Sequence, residues 1–304
     1  MGTPQIAAAT LEHLLTGPDT VVGVVTQPDS KAGRGGQMSV SPVRKLAESR
    51  NLPVLAAEKI RSAEFLESLR NWQPDIIVVV AYGRILPKAI LELAPKGCVN
   101  VHYSILPKYR GAAPAAWTII NGEAEAGVST MKLVEKMDAG AIYLQEAIKL
   151  TGTETTGSLQ TQLTPIGARL LAETLHRLKN GSLTATEQDE RLATVAPILK
   201  KADGLIDWQR SALQIERRIR GFNPWPGSFT HWSDKLLKIH RAAIINTERR
   251  GSPGEILRAD SAGFWVATSS GVLSLEEVQQ ENKRRLPGAE FIKGARIKPG
   301  DHLE

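Results

Sequence analysis

The first half of the chain alternates short runs of β-branched residues with stretches of helical periodicity, an order that points to a mainly parallel sheet with covering helices. Residues 21–25, 76–80 and 98–102 read as strands, and residues 43–50 and 63–71 read as helices between them. Two more apolar stretches, 128–133 and 142–148, flank a turn at 137–140 and are expected to extend the sheet. Leu159, Leu163, Leu170, Leu171, Leu175 and Leu178 then fall at helical spacing despite Pro165, so one long helix should close the unit near Asn180 and Gly181.

Residues 182–203 are polar and lack a sustained period, which reads as a linker or an extended crossing. Beyond it, residues 212–220 look helical, and 236–240, 255–257, 264–267 and 272–275 look like short strands punctuated by Gly254, Gly263, Gly271 and Gly294. Such a pattern suits a small β-barrel better than a helical bundle. The expected fold is therefore α/β, with a mainly parallel sheet and covering helices over residues 1–181, a linker over 182–203, and a separate β-barrel domain over 204–304.

Composition narrows the function classes. No apolar run approaches the roughly 20 residues that span a bilayer, and the first residues lack a basic stretch followed by an apolar one, so a soluble, unexported, cytoplasmic protein is expected. Cys98 is the single cysteine, which rules out an intramolecular disulfide; within its apolar stretch it reads as a small buried hydrophobe rather than a nucleophile. The net charge is +6, and residues 201–304 hold 17 Lys/Arg against 13 Asp/Glu, so most of the excess lies in the C-terminal part. This charge permits a polyanionic partner without requiring one.

The start of the chain departs from a doubly wound sheet. Met1-Gly2-Thr3-Pro4 runs directly into a helical pattern around Leu11 to Leu15, where a central first strand is normally found. An empty central slot would forfeit many kcal/mol of burial and ladder hydrogen bonding. The natural chain is therefore expected to begin some residues upstream, and an intact-mass measurement on the native protein should exceed the mass of the 304 residues; a mass equal to it refutes the expectation.

The residues that carry chemistry centre on Asn100-Val101-His102, at the end of an expected strand. Strand alternation puts Asn100 and His102 on one face, and ligands of open α/β sheets bind beyond the carboxyl ends of the strands. Histidine can accept a proton near neutral pH, and an asparagine amide can donate to a developing oxyanion. A carboxylate from another loop would accept the histidine's second N–H; Asp138, in Met137-Asp138-Ala139-Gly140, is the candidate, its alternative role being that of a turn residue. No histidine–cysteine cluster is present, and no metal is expected.

In this context the sequence resembles the folate-dependent formyltransferases, in particular the branch that formylates methionyl initiator tRNA. The resemblance runs through Gly2-Thr3-Pro4, Val24-Val25-Thr26-Gln27-Pro28-Asp29, Ala32-Gly33-Arg34-Gly35, Ala81-Tyr82-Gly83-Arg84-Ile85-Leu86-Pro87, the segment from Asn100 through Ser104-Ile105-Leu106-Pro107-Lys108-Tyr109-Arg110-Gly111 to Pro114, and Phe222-Asn223-Pro224-Trp225-Pro226-Gly227. It implies a Rossmann-type formyl-transfer domain joined to a C-terminal barrel like the oligonucleotide-binding (OB) fold. It also implies 10-formyltetrahydrofolate as co-substrate, the methionyl α-amine of the initiator tRNA as acceptor, and a role in translation initiation. Asn100, His102 and Asp138 map onto the family's catalytic trio. Ser104, Ile105, Leu106 and Pro107 map onto its folate loop, with a cis bond before Pro107. Arg84, Ile85 and Leu86 map onto a segment whose backbone holds the pterin.

The glycine-rich basic stretch Lys31-Ala32-Gly33-Arg34-Gly35 reads on composition as a surface loop. By the resemblance it inserts at the acceptor end of the tRNA, with Arg34 as its key arginine and Lys31, Gly33 and Gly35 around it. Lys200, Lys201, Arg217, Arg218, Arg220, Lys235 and Lys238 are candidates to follow a phosphate backbone, and the 222–227 turn is expected to pack Trp225. Tyr103 stands beside the catalytic histidine where the family usually has a small residue; it either crowds the cleft or points to the opposite face. A monomer is expected. Two other readings fit parts of the pattern: a formyltransferase for an amino sugar nucleotide, against which the Ala-Gly-Arg-Gly stretch counts, and an inactive RNA-binding relative, against which the complete trio counts.

Overall fold

A computed structural model describes residues 1–32, 37–247 and 250–304. The chain divides into two compact units, one formed by Met1–Pro114, Glu125–Lys149 and Gln160–Pro197, the other by Ala115–Ala124, Leu150–Leu159 and Ile198–Glu304.

In the first unit the strand Cys98–His102 lies between Ile77–Val79, which runs parallel to it, and Glu125–Lys132, which runs antiparallel; Ile142–Lys149 completes this four-stranded sheet. Every residue of Cys98–His102 is buried, the polar Asn100 and His102 as well as the apolar Cys98, Val99 and Val101. Val101 Cγ1 faces Gly167 on the long helix Thr156–Lys179, so Asn100 and His102 face the other way. Val24–Val25 and Val54–Leu55 pair in parallel as a separate ribbon.

Met1 and Gly2 occupy the place between that ribbon and the sheet. The Gly2 N–H donates to the Val25 carbonyl at 2.9 Å, the Val80 N–H donates to the Met1 carbonyl at 2.9 Å, and Gly2 bridges Val80 in parallel. At its carboxyl end, the slot expected to lie empty is filled by these two residues.

Helices begin where the sequence supplies caps. Ser41 accepts from the Arg44 N–H ahead of Pro42–Ser49, with Pro42 at the first helical position, and Ser62 accepts from the Phe65 N–H ahead of Ala63–Asn71. The long helix ends at Lys179, two residues before Gly181, whose φ is +67°.

Residues 182–197 run along the first unit. Thr186 exchanges both backbone hydrogen bonds with Ile142, and Val195–Ala196 pairs in parallel with Arg110–Gly111. Their polarity hides this attachment, because its bonds are made by backbone and amide groups rather than by an apolar face.

The second unit is a mostly antiparallel sheet in the order Ser228–Trp232, Lys235–Ile245, Val272–Gln280, Gly263–Ala267, Ile256–Asp260, with Leu286–Pro287 added to Val272–Gln280. The helices Ala212–Gly221 and Gly288–Ala295 supply Ile215, Ile219, Phe291 and Ile292 to its core. Among the described residues the two ends of this order do not pair with each other, so the sheet does not close into a barrel through its ladder. No helix among the described residues is long and apolar enough to cross a membrane.

Cys98 is 1% exposed, and burial raises its thiol pKa from 9.0 to about 11. At pH 8 the folded protein should therefore resist iodoacetamide and become alkylated only in denaturant, as read by mass spectrometry; rapid modification of folded protein contradicts the placement.

Candidate active site

Because Ile77–Val79 and Cys98–His102 are parallel, their carboxyl ends lie at the same edge of the sheet. Residues 81–86 leave from one end and residues 103–111 from the other, which gathers the expected folate and catalytic segments at one place.

His102 is 5% exposed, and its two nitrogens meet different partners. Nε2 lies 2.8 Å from the Tyr109 carbonyl. Since a carbonyl only accepts, Nε2 carries the proton, and in the neutral ring Nδ1 is the bare nitrogen. Nδ1 faces Asp138 Oδ2 at 3.7 Å, too long for a hydrogen bond. The tautomer is thus set by the Tyr109 carbonyl and not by Asp138, which corrects the sequence expectation. A proton arriving at Nδ1 would sit directly opposite a carboxylate.

Two residues adopt left-handed backbone to make this arrangement, Tyr109 with φ +63° and Asp138 with φ +49°. Left-handed backbone costs a non-glycine residue about 1–2 kcal/mol, and hydrogen bonds here offset it. The Tyr109 N–H donates to Thr194 Oγ1 at 2.8 Å, and the Gly111 N–H donates to Asp138 Oδ2 at 2.8 Å.

Asn100 is 8% exposed and its side-chain amide makes no hydrogen bond among the described residues. A polar group so nearly buried and left without a protein partner is suited to a bound oxygen. Asn100, His102 and Asp138 are therefore brought to one region as expected. Tyr103 points the other way: it is buried, its hydroxyl lies toward Gly167, and burial raises its pKa. It does not crowd the cleft.

The loop from Ser104 to Pro107 contains the expected cis bond, between Leu106 and Pro107. Ser104 Oγ donates to the Lys108 carbonyl at 2.7 Å, so this hydroxyl is spent on the loop's own turn. Ser129 and Gln145, two residues that sequence reading missed, hold the loop from the neighbouring strands: the Leu106 N–H donates to Ser129 Oγ at 3.1 Å, Ser129 Oγ to the Ser104 carbonyl at 2.6 Å, and Gln145 Nε2 to the Leu106 carbonyl at 2.9 Å. Nothing in their spacing marked them, since each reads as an ordinary residue of an edge-ward strand.

Arg84, Ile85 and Leu86 follow a turn with Ala81 at φ +46° and Gly83 at φ +78°. The Arg84 guanidinium caps the carbonyls of Ala57 and Glu58. The main-chain groups of Arg84, Ile85 and Leu86 make no hydrogen bonds among the described residues, while Ile85 is 67% exposed and Leu86 is buried. Free backbone donors and acceptors beside exposed apolar surface are what a flat heterocycle with a polar edge needs, so these residues fit a pterin.

Gly33, Arg34 and Gly35 lie outside the described residues, and of Lys31 only the backbone is described, in the hairpin of Ser30–Ala32 with Gln37–Ser39. Lys200, Lys201, Lys235 and Lys238 are exposed in the second unit. Arg218 and Arg220 are committed to the protein: Arg220 pairs with Glu216 and the Glu154 carbonyl, and Arg218 stacks on Phe222 and donates to the Asp203 carbonyl. Trp225 is 59% exposed, correcting the expectation that it packs. Among the described residues no cluster of His, Cys, Asp and Glu is arranged to hold a metal. A groove of about 710 Å³ lined by Lys88, Leu91, Lys132 and Tyr143 lies apart from the trio, which contributes none of its lining.

Residues 1–175 match the formyl transferase family, and residues 198–296 match the formyl transferase C-terminal domain. The chain belongs to the formyl transferase family. It is 48% identical over 297 residues to a methionyl-tRNA formyltransferase of Desulfotalea psychrophila, covering 98% of this chain and 92% of that one. A methionyl-tRNA formyltransferase of Citrifermentans bemidjiense is 46% identical over 303 residues, covering 100% and 95%. WlaRD, a sugar 3N-formyl transferase solved in the presence of dTDP and 5-N-formyl-THF, superposes with a TM-score of 0.67 at 19% identity over 93% of this chain and 97% of that one, a likeness of fold.

Gly111 has φ +121°, and a Cβ there would stand 2.6 Å from the Ala196 carbonyl oxygen. Gly111→Ala should displace the N–H that holds Asp138 and cost about 1–3 kcal/mol. Thermal unfolding checks it, and an unchanged midpoint contradicts it.

Proposed function

We propose that this protein is a methionyl-tRNA formyltransferase, which moves the formyl group of 10-formyltetrahydrofolate to the α-amino group of methionyl initiator tRNA for translation initiation. The observation that carries the chemistry is the bare His102 Nδ1 facing Asp138 Oδ2 at 3.7 Å on the same sheet edge as the unpartnered Asn100 amide. Identity of 48% and 46% with methionyl-tRNA formyltransferases over nearly the whole chain supports the substrate.

When bound, the folate supplies an electrophilic one-carbon group. Arg84, Ile85 and Leu86 would hold its pterin through main-chain groups, and the Ser104 to Pro107 loop would line the path to the trio. The methionyl amine titrates near pH 8 and must lose a proton to attack. His102 Nδ1 is the acceptor, and Asp138 stabilises the resulting imidazolium. The Asn100 amide donates to the formyl oxygen as negative charge develops there. The same His102–Asp138 pair then returns a proton to the leaving nitrogen.

The C-terminal unit is read as an OB-like domain for the tRNA, supported by its mostly antiparallel sheet, its share of the net charge and its exposed Lys200 and Lys201. Lys31, Gly33, Arg34 and Gly35 are assigned to the acceptor end. As functional divisions we assign 1–181 to formyl transfer, 182–203 to the linker and 204–304 to the tRNA-binding domain, and the protein is read as a cytoplasmic monomer.

Asn100→Ala should lower the formyl-transfer rate at least about 10²-fold, as loss of one oxyanion donor typically does. The assay is transfer of radiolabelled formyl to charged initiator tRNA, with an amino sugar nucleotide as the parallel acceptor. Near-wild-type turnover by Asn100→Ala refutes its role, and transfer to the sugar amine alone refutes the substrate.

A further inference from the structure

The segment after the long helix lies directly against the catalytic turn, and one side chain in it is held in a single orientation. Arg110 is nearly buried, with 8% of its side chain exposed. Its guanidinium gives Nε and Nη2 to Gln188 Oε1, at 3.0 and 2.8 Å, and Nη1 to Glu190. Lys136 closes on the same Glu190 carboxylate at 2.7 Å.

A guanidinium only donates, so the amide atom of Gln188 that faces it must be the oxygen. Nε2 therefore faces the other way, and it donates to the carbonyls of Asp138 at 2.8 Å and Gly140 at 2.7 Å. The reversed amide would set donors against Arg110 and an acceptor against two carbonyls, so the orientation is dictated by its surroundings. These two bonds bracket the turn that presents Asp138 to His102. That turn needs holding: Asp138 has φ +49°, and Gly140 approaches the Lys132 carbonyl so closely that a Cβ would stand 1.9 Å from its oxygen.

We propose that Gln188 is a positioning residue for formyl transfer: oriented by Arg110, it fixes the backbone at Asp138 and Gly140 and so keeps the Asp138 carboxylate opposite His102 Nδ1. This rests on the functional reading above and extends it to a segment that carries none of the trio. The hydrogen bonds of Gln188 go to Arg110, Asp138 and Gly140 and none to His102, so its removal should act on the chemical step and leave substrate binding alone.

The test compares Gln188→Ala, Gln188→Glu and Arg191→Ala in the full chain, with kcat expressed per folded molecule from circular dichroism. Gln188→Glu keeps an acceptor for Arg110 but has no N–H for the two carbonyls. Arg191 lies on the same segment, is 89% exposed and pairs with Asp189, so it reports nonspecific effects. Both Gln188 variants should lose kcat by about 10- to 100-fold, with KM for folate donor and tRNA within about twofold of wild type, and Arg191→Ala should match wild type. Undiminished kcat in Gln188→Ala overturns the inference, as does a change confined to KM. If Gln188→Ala does not fold, Gln188→Glu decides, and failure of both to fold assigns Gln188 a structural role and overturns the inference. Wild type is assayed first: inactivity toward charged initiator tRNA overturns the functional reading as well, whereas an active wild type beside an undiminished variant overturns this inference alone.

Discussion

The Tyr109 carbonyl can only accept, so the imidazole nitrogen 2.8 Å from it must hold the proton, and the chemistry of the site follows from that assignment. With Nε2 engaged, the basic nitrogen of His102 is the one turned toward Asp138. A carboxylate placed across from a nitrogen that gains a proton stabilises the product of proton transfer more than its reactant, which is where stabilisation accelerates a reaction. In the other tautomer the Nε2 lone pair would meet a carbonyl that cannot donate, and Nδ1 would carry the proton, leaving no acceptor opposite Asp138.

The fold supplies this arrangement from unrelated parts of the chain. The sheet delivers Asn100 and His102 on one strand face, the left-handed residue Tyr109 turns its carbonyl back onto the ring, and a turn between two antiparallel strands brings Asp138. Residues 186–196 then bind the last two together through Thr194, Gln188 and the short pairing of Val195–Ala196 with Arg110–Gly111. Rigid strands fix two of the groups, and a polar network fixes the third, so its precision depends on hydrogen bonds rather than on apolar packing.

Much of this was legible in the residues. Cys98–His102 and Ala63–Asn71 fall at the expected positions because Val99 and Val101 alternate with Asn100 and His102 in a strand-like pattern, and a serine caps an amphipathic helical stretch. The faces of Asn100 and His102 followed from alternation alone. What escaped reading has a common physical cause. Gln188, Ser129 and Gln145 act through bonds to distant carbonyls and hydroxyls, which leave no periodicity, and Tyr109 acts through its backbone, which has no sequence signature. Trp225 misled because an aromatic residue between prolines suggests packing, whereas its ring is largely exposed. The strand Ser228–Trp232 was missed because its alternation is short and begins just after the Pro226-Gly227 turn.

The protonation state of His102 is the most direct point of attack. Nitrogen-15 NMR of histidine-labelled protein, with the His102 signals assigned by their loss in His102→Asn, reads which ring nitrogen carries the proton in the neutral form. Protonated Nε2 with bare Nδ1 is the predicted result; a proton on Nδ1 with Nε2 bare would contradict the account, because the nitrogen facing Asp138 would then have no lone pair to accept a proton.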